Sequence, residues 1–449
     1  MEPLDSIISF LKQTDELTTA KLLLDTFAKY STSSAQYDKI ASLYCDIKDY
    51  NSSVKYAEKA LTLSDNNEAM YACRSNLAKM HNHLNNPDKS LFYLNINANI
   101  SKFDYDILLE KVFSLFLLNR KSESEAILRD ILAEYETANS DITDDIISRV
   151  EFNLGTYDLY AGKFKKGLEG FLLRGKEIGI WKNVILPEPF IFWNSKYITN
   201  IDLVILAEGG IGDEIINIRF MNNLKALNIN PIWLTNHKDL VEVFNRNDYK
   251  TISNLNQLDR SKTYHYTHAM SLPIFLDLDE DQVFTKPYLV NSNNINLNTK
   301  NLKIGLKWSG NPLYEQDLHR SVDLDQIINK INNTDILYYS LQRDEGREDA
   351  NKYEFINQTL NLDTWEDTLN SIASLDIIIT SCTSIAHASA AMGKTTFVLV
   401  PITGYYIWCS PSLPWYGANT FVFRQTEHKN WDDPLNQILN QIKLCQQLI

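Results

Sequence analysis

The sequence predicts an all-helical repeat region followed by an α/β region built as two doubly wound halves. Three observations predict it. From residue 4 to about 180 the apolar residues recur at helical spacing, and the only prolines are Pro3 and Pro87. From residue 201 onward, short strand-like runs alternate with amphipathic stretches, as in a parallel sheet covered by helices. That alternation comes in two series, joined by the Asn-rich stretch NSNNINLNTKN. The expected boundaries are 1–180 for the helical repeats, 181–200 for a linker, 201–295 for the first half and 296–449 for the second half with a closing helix.

Composition narrows the function classes. The chain has 449 residues, 44% of them hydrophobic, with 23 Tyr and 19 Phe, enough for more than one core. Disorder as the main state is excluded on that count. No run approaches the ~18 apolar residues of a membrane span. Lys and Arg total 43 against 57 Asp and Glu, a net charge of −14, which argues against a general grip on nucleic acid. The five cysteines, Cys45, Cys73, Cys382, Cys409 and Cys445, form no CxxC pair. A reducing cytoplasm is therefore expected, and the opening MEPLDSIISFLKQTDEL is not read as an export signal.

Within the helical region one stretch has a recognisable spacing: Tyr37, Ile40, Ala41, Tyr44, Tyr50, Ser53, Ala57 and Ala60, closed by Asp65-Asn66-Asn67. Large residues share a face and small ones fall where two helices cross. A second unit has Leu77-Ala78, a turn at Asn86-Pro87-Asp88, then Ser90, Leu94 and Asn97. A third is degenerate and is centred on Ala126 and Ala133. The fourth has Asn153 to Tyr157, then Ala161-Gly162-Lys163-Phe164, Gly167 and Phe171. Gly155 and Gly167 are read as close-approach positions and Gly162 as the turn. The spacing resembles the tetratricopeptide repeat (TPR), whose period is ~34 residues. An irregular helical bundle is the plainer alternative. Stacked pairs leave a groove of the kind that holds a peptide or protein.

In the α/β region, strands are expected at 201–208, 231–236, within 301–310 where a strand enters a loop, and at 336–342, 377–380, 395–401 and 421–425. Ligands of such folds bind beyond the carboxyl ends of strands, and three loops fall there. The first is Glu208-Gly209-Gly210-Ile211-Gly212-Asp213, where Gly210 and Gly212 let backbone approach a ligand and Asp213 opens a helix. GGxG is not a dinucleotide fingerprint, and Asp213 reads either as a helix cap or as a cleft residue. The second loop holds Lys307, Ser309 and Asn311, followed by Arg320: either an anion site or surface charge. The third, Thr380 to His387, leads into a helix whose amino end favours phosphate, with Thr383 and Ser384 at its start. His387 faces either the ligand or the core. Gln342, Arg343 and residues 365–367 are candidates for a base pocket. Asp277 and Asp279 are read as a solvated turn rather than a metal site, and His265 with His268 lack a third ligand.

These loops occur in a specific order: EGGIGDEI (208–215), MSLP (270–273), GLKWSGNP (305–312), HRS (319–321), YSLQ (339–342), TSIAHASAAMGK (383–394) and PWYG (414–417). In that order the chain resembles tetratricopeptide-repeat-fused glycosyltransferases, whose catalytic part is similar to ADP-heptose:lipopolysaccharide heptosyltransferases. The layout is also like that of TPR-type flagellin glycosyltransferases. The resemblance implies a GT-B fold of two Rossmann-like halves and an inverting transfer from a nucleotide-sugar donor without a metal or other cofactor. It implies Asp213 as general base. It implies Lys307, Ser309, Arg320, Thr383 and Ser384 around the donor phosphates; Asn311, Gln342 and His387 are donor-site candidates from their place in the loops, with Gly210 and Gly212 in the Gly-rich turn. The implied acceptor is a protein docked by the repeats, flagellin or another surface protein. The alternatives are a glycan-directed enzyme and a non-catalytic scaffold. Gly209 stands where the family usually has Gln, and Cys382 where it usually has an acid, which leaves the donor sugar open.

Overall fold

The computed structural model describes residues 6, 7, 9, 11, 12, 16–98, 104–137, 142–173, 186, 189–283, 286–312, 314, 316–343, 345–409 and 415–447. Packing divides the chain into two compact units, Met1–Asp141 and Ile142–Ile449.

The first unit is a run of helices, α1 (Leu17–Tyr30) followed by three hairpins. These pair α2 (Ser34–Asp46) with α3 (Tyr50–Leu63), α4 (Asn67–His83) with α5 (Pro87–Ala98), and α6 (Tyr105–Leu117) with α7 (Lys121–Tyr135). A fourth hairpin, α8 (Asp144–Tyr160) with α9 (Phe164–Phe171), opens the second unit. All four turns place a left-handed residue at the same point: Lys48, Asn85, Asn119 and Gly162. Each second helix then carries a buried small residue at its fourth position: Ser53, Ser90, Ser124 and Gly167. Two of the hydroxyls bond across their own hairpin, Ser53 Oγ to the Ala41 carbonyl at 2.5 Å and Ser124 Oγ to that of Val112 at 2.8 Å, while Ser90 Oγ pairs with Ser114 Oγ of the next hairpin at 2.9 Å. In the fourth pair no hydroxyl is present, because the helices are closer still. A Cβ on Gly155 would lie 2.8 Å from Gly170 Cα and 2.9 Å from the Gly167 carbonyl oxygen. Repetition of both turn and contact makes this a tetratricopeptide-like array.

The third unit differs from its expected centre. Ala126 and Ala133 are exposed, and the buried face is Ser124, Leu128 and Ile131. Ala126 lies two residues from Ser124, about 200° around the helix, so it points away from the partner.

The second unit holds two all-parallel sheets. The first comprises β1 (Ile191–Phe192), β2 (Asp202–Leu206), β3 (Asn230–Leu234), β4 (Thr251–Ile252) and β5 (His265–His268), in the order β1-β5-β2-β3-β4. The second comprises β6 (Leu302–Lys307), β7 (Ile336–Ser340), β8 (Ile356–Asn357), β9 (Ile377–Ser381), β10 (Thr395–Val400) and β11 (Thr420–Arg424), in the order β11-β10-β9-β6-β7-β8. The chain builds outward from β2 to β4 and from β6 to β8, then returns to the other side of the starting strand. The two reversal points therefore lie at the carboxyl ends of β2/β5 and β6/β9, where crevices open in such sheets. Helix α10 (Ile211–Asn217) follows β2, and α17 (Ser384–Ala391) follows β9. The closing helix α19 (Asp432–Gln446) buries Leu435, Ile438 and Ile442 on the second half.

Three sequence expectations change. The helical pattern runs on to Phe171, but its last hairpin packs with the α/β region: Tyr160 Oη donates to the Gly404 carbonyl at 2.6 Å, and the Phe171 and Tyr406 rings lie 5.1 Å apart. Asp277 and Asp279 anchor that hairpin through Lys165, at 3.0 and 2.9 Å. The joining segment is braced against the second half. Tyr288 N–H donates to the Ala391 carbonyl at 2.9 Å, and Asn370 Oδ1 receives the N–H groups of Ser292 and Asn293. Within the expected 181–200 linker, residues 191–192 add a parallel edge strand to β5, and Trp193 is buried; Trp181 and Pro187 lie outside the described residues. His265 and His268, three apart on β5, face opposite sides of the sheet. No described helix is long and apolar enough to cross a membrane.

Candidate active site

The site is assembled where the two reversal points face each other. Helices α10 and α17 touch: a Cβ on Gly212 would lie 3.0 Å from His387 Cδ2 and 3.5 Å from Ser384 Cα. Gly212 thus serves contact between the halves, not approach of a ligand. Asp213, one residue on, turns its Oδ2 back to the Gly210 N–H at 2.8 Å and caps α10. Gly209 has φ +72°, and Asp213 Oδ2 would meet a Cβ there at 2.4 Å. Burial pushes the Asp213 carboxyl above the usual carboxylate range, and nearby Glu208 adds to the rise; the Gly210 N–H, the Tyr405 hydroxyl and Arg320 pull the other way.

Across from it, α14 (Asp317–Arg320) presents a guanidinium. Arg320 Nε bonds Asp317 Oδ1 at 2.8 Å, and Nη1 donates to the Cys382 carbonyl at 3.1 Å, just before α17 begins. Its Cζ stands 4.6 Å from the centre of the Tyr314 ring. Asp317 also receives Ser321 Oγ at 2.9 Å, and Ser321 Oγ receives the Gly310 N–H at 3.3 Å. Loop and arginine are thus one network. Lys307 ends β6 opposite Thr380 and is buried there. Ser309 and Gln342 meet as the carboxyl ends of β6 and β7 do: Gln342 Nε2 bonds Ser309 Oγ and the Glu345 carbonyl, both at 2.8 Å. That carboxamide clamps two loops. Asn311 is exposed at the rim.

At the head of α17, Thr383 Oγ1 pairs with Thr380 Oγ1 at 3.1 Å and makes no side-chain cap, while Ser384 is half-buried. His387 belongs to the interior. Its Nδ1 bonds Tyr416 Oη at 2.9 Å, and its ring stacks on Trp408 with centroids 4.7 Å apart. Burial, with Arg219 and Arg320 nearby, lowers its pKa to about 3, so the ring is neutral. The donor-contact reading of His387 gives way to packing between the halves. Residues 365–367 are likewise structural. Trp365 is in the core, Asp367 caps with Thr364, and Glu366 holds Arg246 of the first half at 2.8 Å.

Several site residues carried no motif. Tyr405, on the loop before α18 (Tyr406–Cys409), faces Asp213. Tyr160 reaches in from α8. Arg219 is fully buried beside His387, bonding Tyr288 Oη at 2.8 Å and the Ile216 carbonyl at 2.8 Å, with Tyr416's ring centre 4.6 Å away. Burial pushes the Cys382 thiol up to about 11, so it is a thiol, not a thiolate. Lone aromatic residues and a single buried arginine give no pattern in a sequence; their spacing along the chain is set by tertiary contact.

No family model matches the chain, and no curated protein matches it. Among solved structures, it is similar to YrrB, a TPR protein with an unusual peptide-binding site: 18% identity, over 39% of this chain and 84% of that one, at a TM-score of 0.28. It is also similar to a mutant O-GlcNAc transferase of Thermobaculum terrenum: 9% identity, over 91% of this chain and 90% of that one, at a TM-score of 0.35.

Proposed function

We propose that the second unit is a GT-B-type glycosyltransferase. It moves a sugar from a nucleotide-sugar donor to a protein held by the helical array, with inversion and without a metal. The observation that supports the reading is the pairing of Asp213 on one sheet's reversal point with Arg320 on the other's, close enough that the guanidinium draws the Asp213 carboxyl downward. Transfer needs two such groups. As the acceptor oxygen bonds the anomeric carbon, the bond to the donor phosphate breaks and its electron pair stays on the phosphate oxygen. Arg320, Lys307, Ser309 and the amino end of α17 with Thr383 and Ser384 stabilise that anion. The acceptor proton goes to Asp213, whose raised pKa suits a base.

The test is hydrolysis of UDP-, GDP-, ADP- and CMP-sugars by the whole chain, with water as acceptor. Asp213→Asn should cut turnover ~10²-fold or more while the fold persists. Full rate in that variant sinks the base assignment. A second reading, a binding scaffold with a lapsed transferase, is motivated by Cys382, a buried neutral thiol beside Arg320. Calorimetry separates the two, since the scaffold binds no nucleotide sugar.

A further inference from the structure

We infer that His237 contacts the acceptor, donating from Nε2 to the hydroxyl oxygen that attacks the donor. This rests on the transferase reading above. Glu214 follows Asp213 on α10 and is fully buried. Four donors converge on it from the end of β3 and the turn beyond. Oε2 accepts from Trp233 Nε1 at 2.8 Å and Thr235 Oγ1 at 2.6 Å; Oε1 accepts from the Asn236 N–H at 3.1 Å and meets His237 Nδ1 at 2.7 Å. The histidine backbone is fixed as well, its N–H donating to Thr235 Oγ1 at 3.0 Å.

A carboxylate on Nδ1 sets that nitrogen as the protonated one and orients the ring, the same logic by which a buried acid orients a catalytic imidazole toward a hydroxyl. Nε2 is the other nitrogen, on a side chain 32% exposed. The ring lies past the carboxyl end of β3, the strand next to β2, whose own carboxyl end leads to Asp213. Asp213 acts on the imidazole from there, so the two groups lie near each other at the carboxyl edge of the first sheet. The charged groups facing the imidazole are Glu214, Asp213 and Asp239, all acidic; the Glu214 bond comes first, and together they raise its pKa against the effect of burial.

An attacking hydroxyl needs its O–H aimed at the base and one lone pair aimed at the anomeric carbon. Nε2–H of the imidazolium fixes both by donating to the oxygen's other lone pair, while Asp213 takes the proton. The sugar's bond to phosphate breaks with its electron pair on the phosphate, and His237 keeps its own proton throughout.

The experiment follows nucleotide-sugar hydrolysis by the whole chain from pH 5 to 9, with the four donor classes above as probes, for unaltered protein, His237→Ala and His237→Gln. In His237→Ala, kcat should fall about tenfold with little change in the donor KM, as expected for one lost hydrogen bond to a charge-bearing atom. The unaltered protein should lose rate on an alkaline limb above the ordinary histidine value of ~6.5. His237→Gln keeps an N–H donor but cannot titrate; it should recover part of kcat and lack that limb. Unchanged kcat and an intact limb in both variants would overturn the inference and leave a strand clamp. Absence of hydrolysis and of nucleotide-sugar binding in the unaltered chain would instead overturn the transferase reading, and this inference with it.

Discussion

Gly310→Ala should silence the donor site without unfolding the protein. Gly310 has no positive φ, so alanine strains no backbone there. The added methyl would lie 2.2 Å from Arg320 Nη2, 2.6 Å from its Cζ and 2.3 Å from Asp317 Oδ1. Ordinary contacts settle near ~3.5 Å, so the guanidinium has to retreat by more than ~1 Å. It is the far end of a flexible side chain, so the fold can yield, at a stability cost of about 1.5–3 kcal/mol for the charged hydrogen bonds given up. The retreat does break the bonds to Asp317 and to the Cys382 carbonyl, which aim the charge at the head of α17. A hydrogen bond to a charged group contributes about 1.5–3 kcal/mol, and 1.36 kcal/mol is tenfold in rate. Hydrolytic kcat/KM for the best nucleotide sugar should therefore fall about 10- to 100-fold, with a modestly lower Tm and a melt that stays cooperative. The decisive arm is the double variant: with Arg320→Ala already present, Gly310→Ala should cost less than about twofold, because its target is gone. Multiplicative losses, or full activity in Gly310→Ala, would refute the network.

Three further outcomes follow from burial and contact. Asp213 has a folded-state pKa above its unfolded value, so ionising it opposes folding; that penalty is absent below ~3.8 and present at pH 7. Asp213→Asn keeps an acceptor for the Gly210 N–H and should raise Tm at pH 7 but not at pH 3.5, as read by pH-dependent melting. His387, lowered to about 3, adds stability that is complete above ~6.5 and is lost as pH falls toward 3. His387→Phe should melt with a shallower acid slope between pH 6.5 and 4, and an unchanged slope would show that another group carries it. Gly155→Ala forces backbone against backbone in the α8–α9 hairpin and should destabilise by about 1–3 kcal/mol in urea titration, despite alanine's better helix propensity.

The α/β elements were legible because buried parallel strands are dense apolar runs with turn residues between them; IIIT and TTFVLV are β9 and β10 almost to the residue. The weak points share a cause. Strands β1, β4 and β8 are two residues long, too short for any period, and exist because a neighbour offers a ladder. In α7 the eye falls on Ala126 and Ala133, but the contact is made by Ser124, whose hydroxyl has a role only once the Val112 carbonyl is opposite it. At the site, Lys307, Ser309, Arg320 and Thr383 stood out as cations in an acidic chain and hydroxyls before a helix, all at or past strand ends. Their division of labour was not legible: Gln342 is a loop clamp, Gly212 and His387 are contact surfaces, and Glu214 with His237 carried no assigned role.

The donor-side cations and the base come from different halves. Arg320 and Lys307 come from the second half; Glu208, Asp213 and Glu214 come from the first, although the chain as a whole carries −14. The proposed transfer requires that division, since the departing anion and the acceptor proton leave in opposite directions. It also sets a limit. Arg320 pulls the Asp213 carboxyl down while burial and Glu208 push it up, and the base works only while the upward effects win. Removing the guanidinium should then have two separable consequences. Arg320→Ala should lower hydrolytic kcat through the lost anion contact, and it should move the acid limb of the residual rate to higher pH, because Asp213 keeps its proton longer. A limb displaced to lower pH, or one that persists in Asp213→Asn, would assign the titrating group elsewhere and break the link between the two halves.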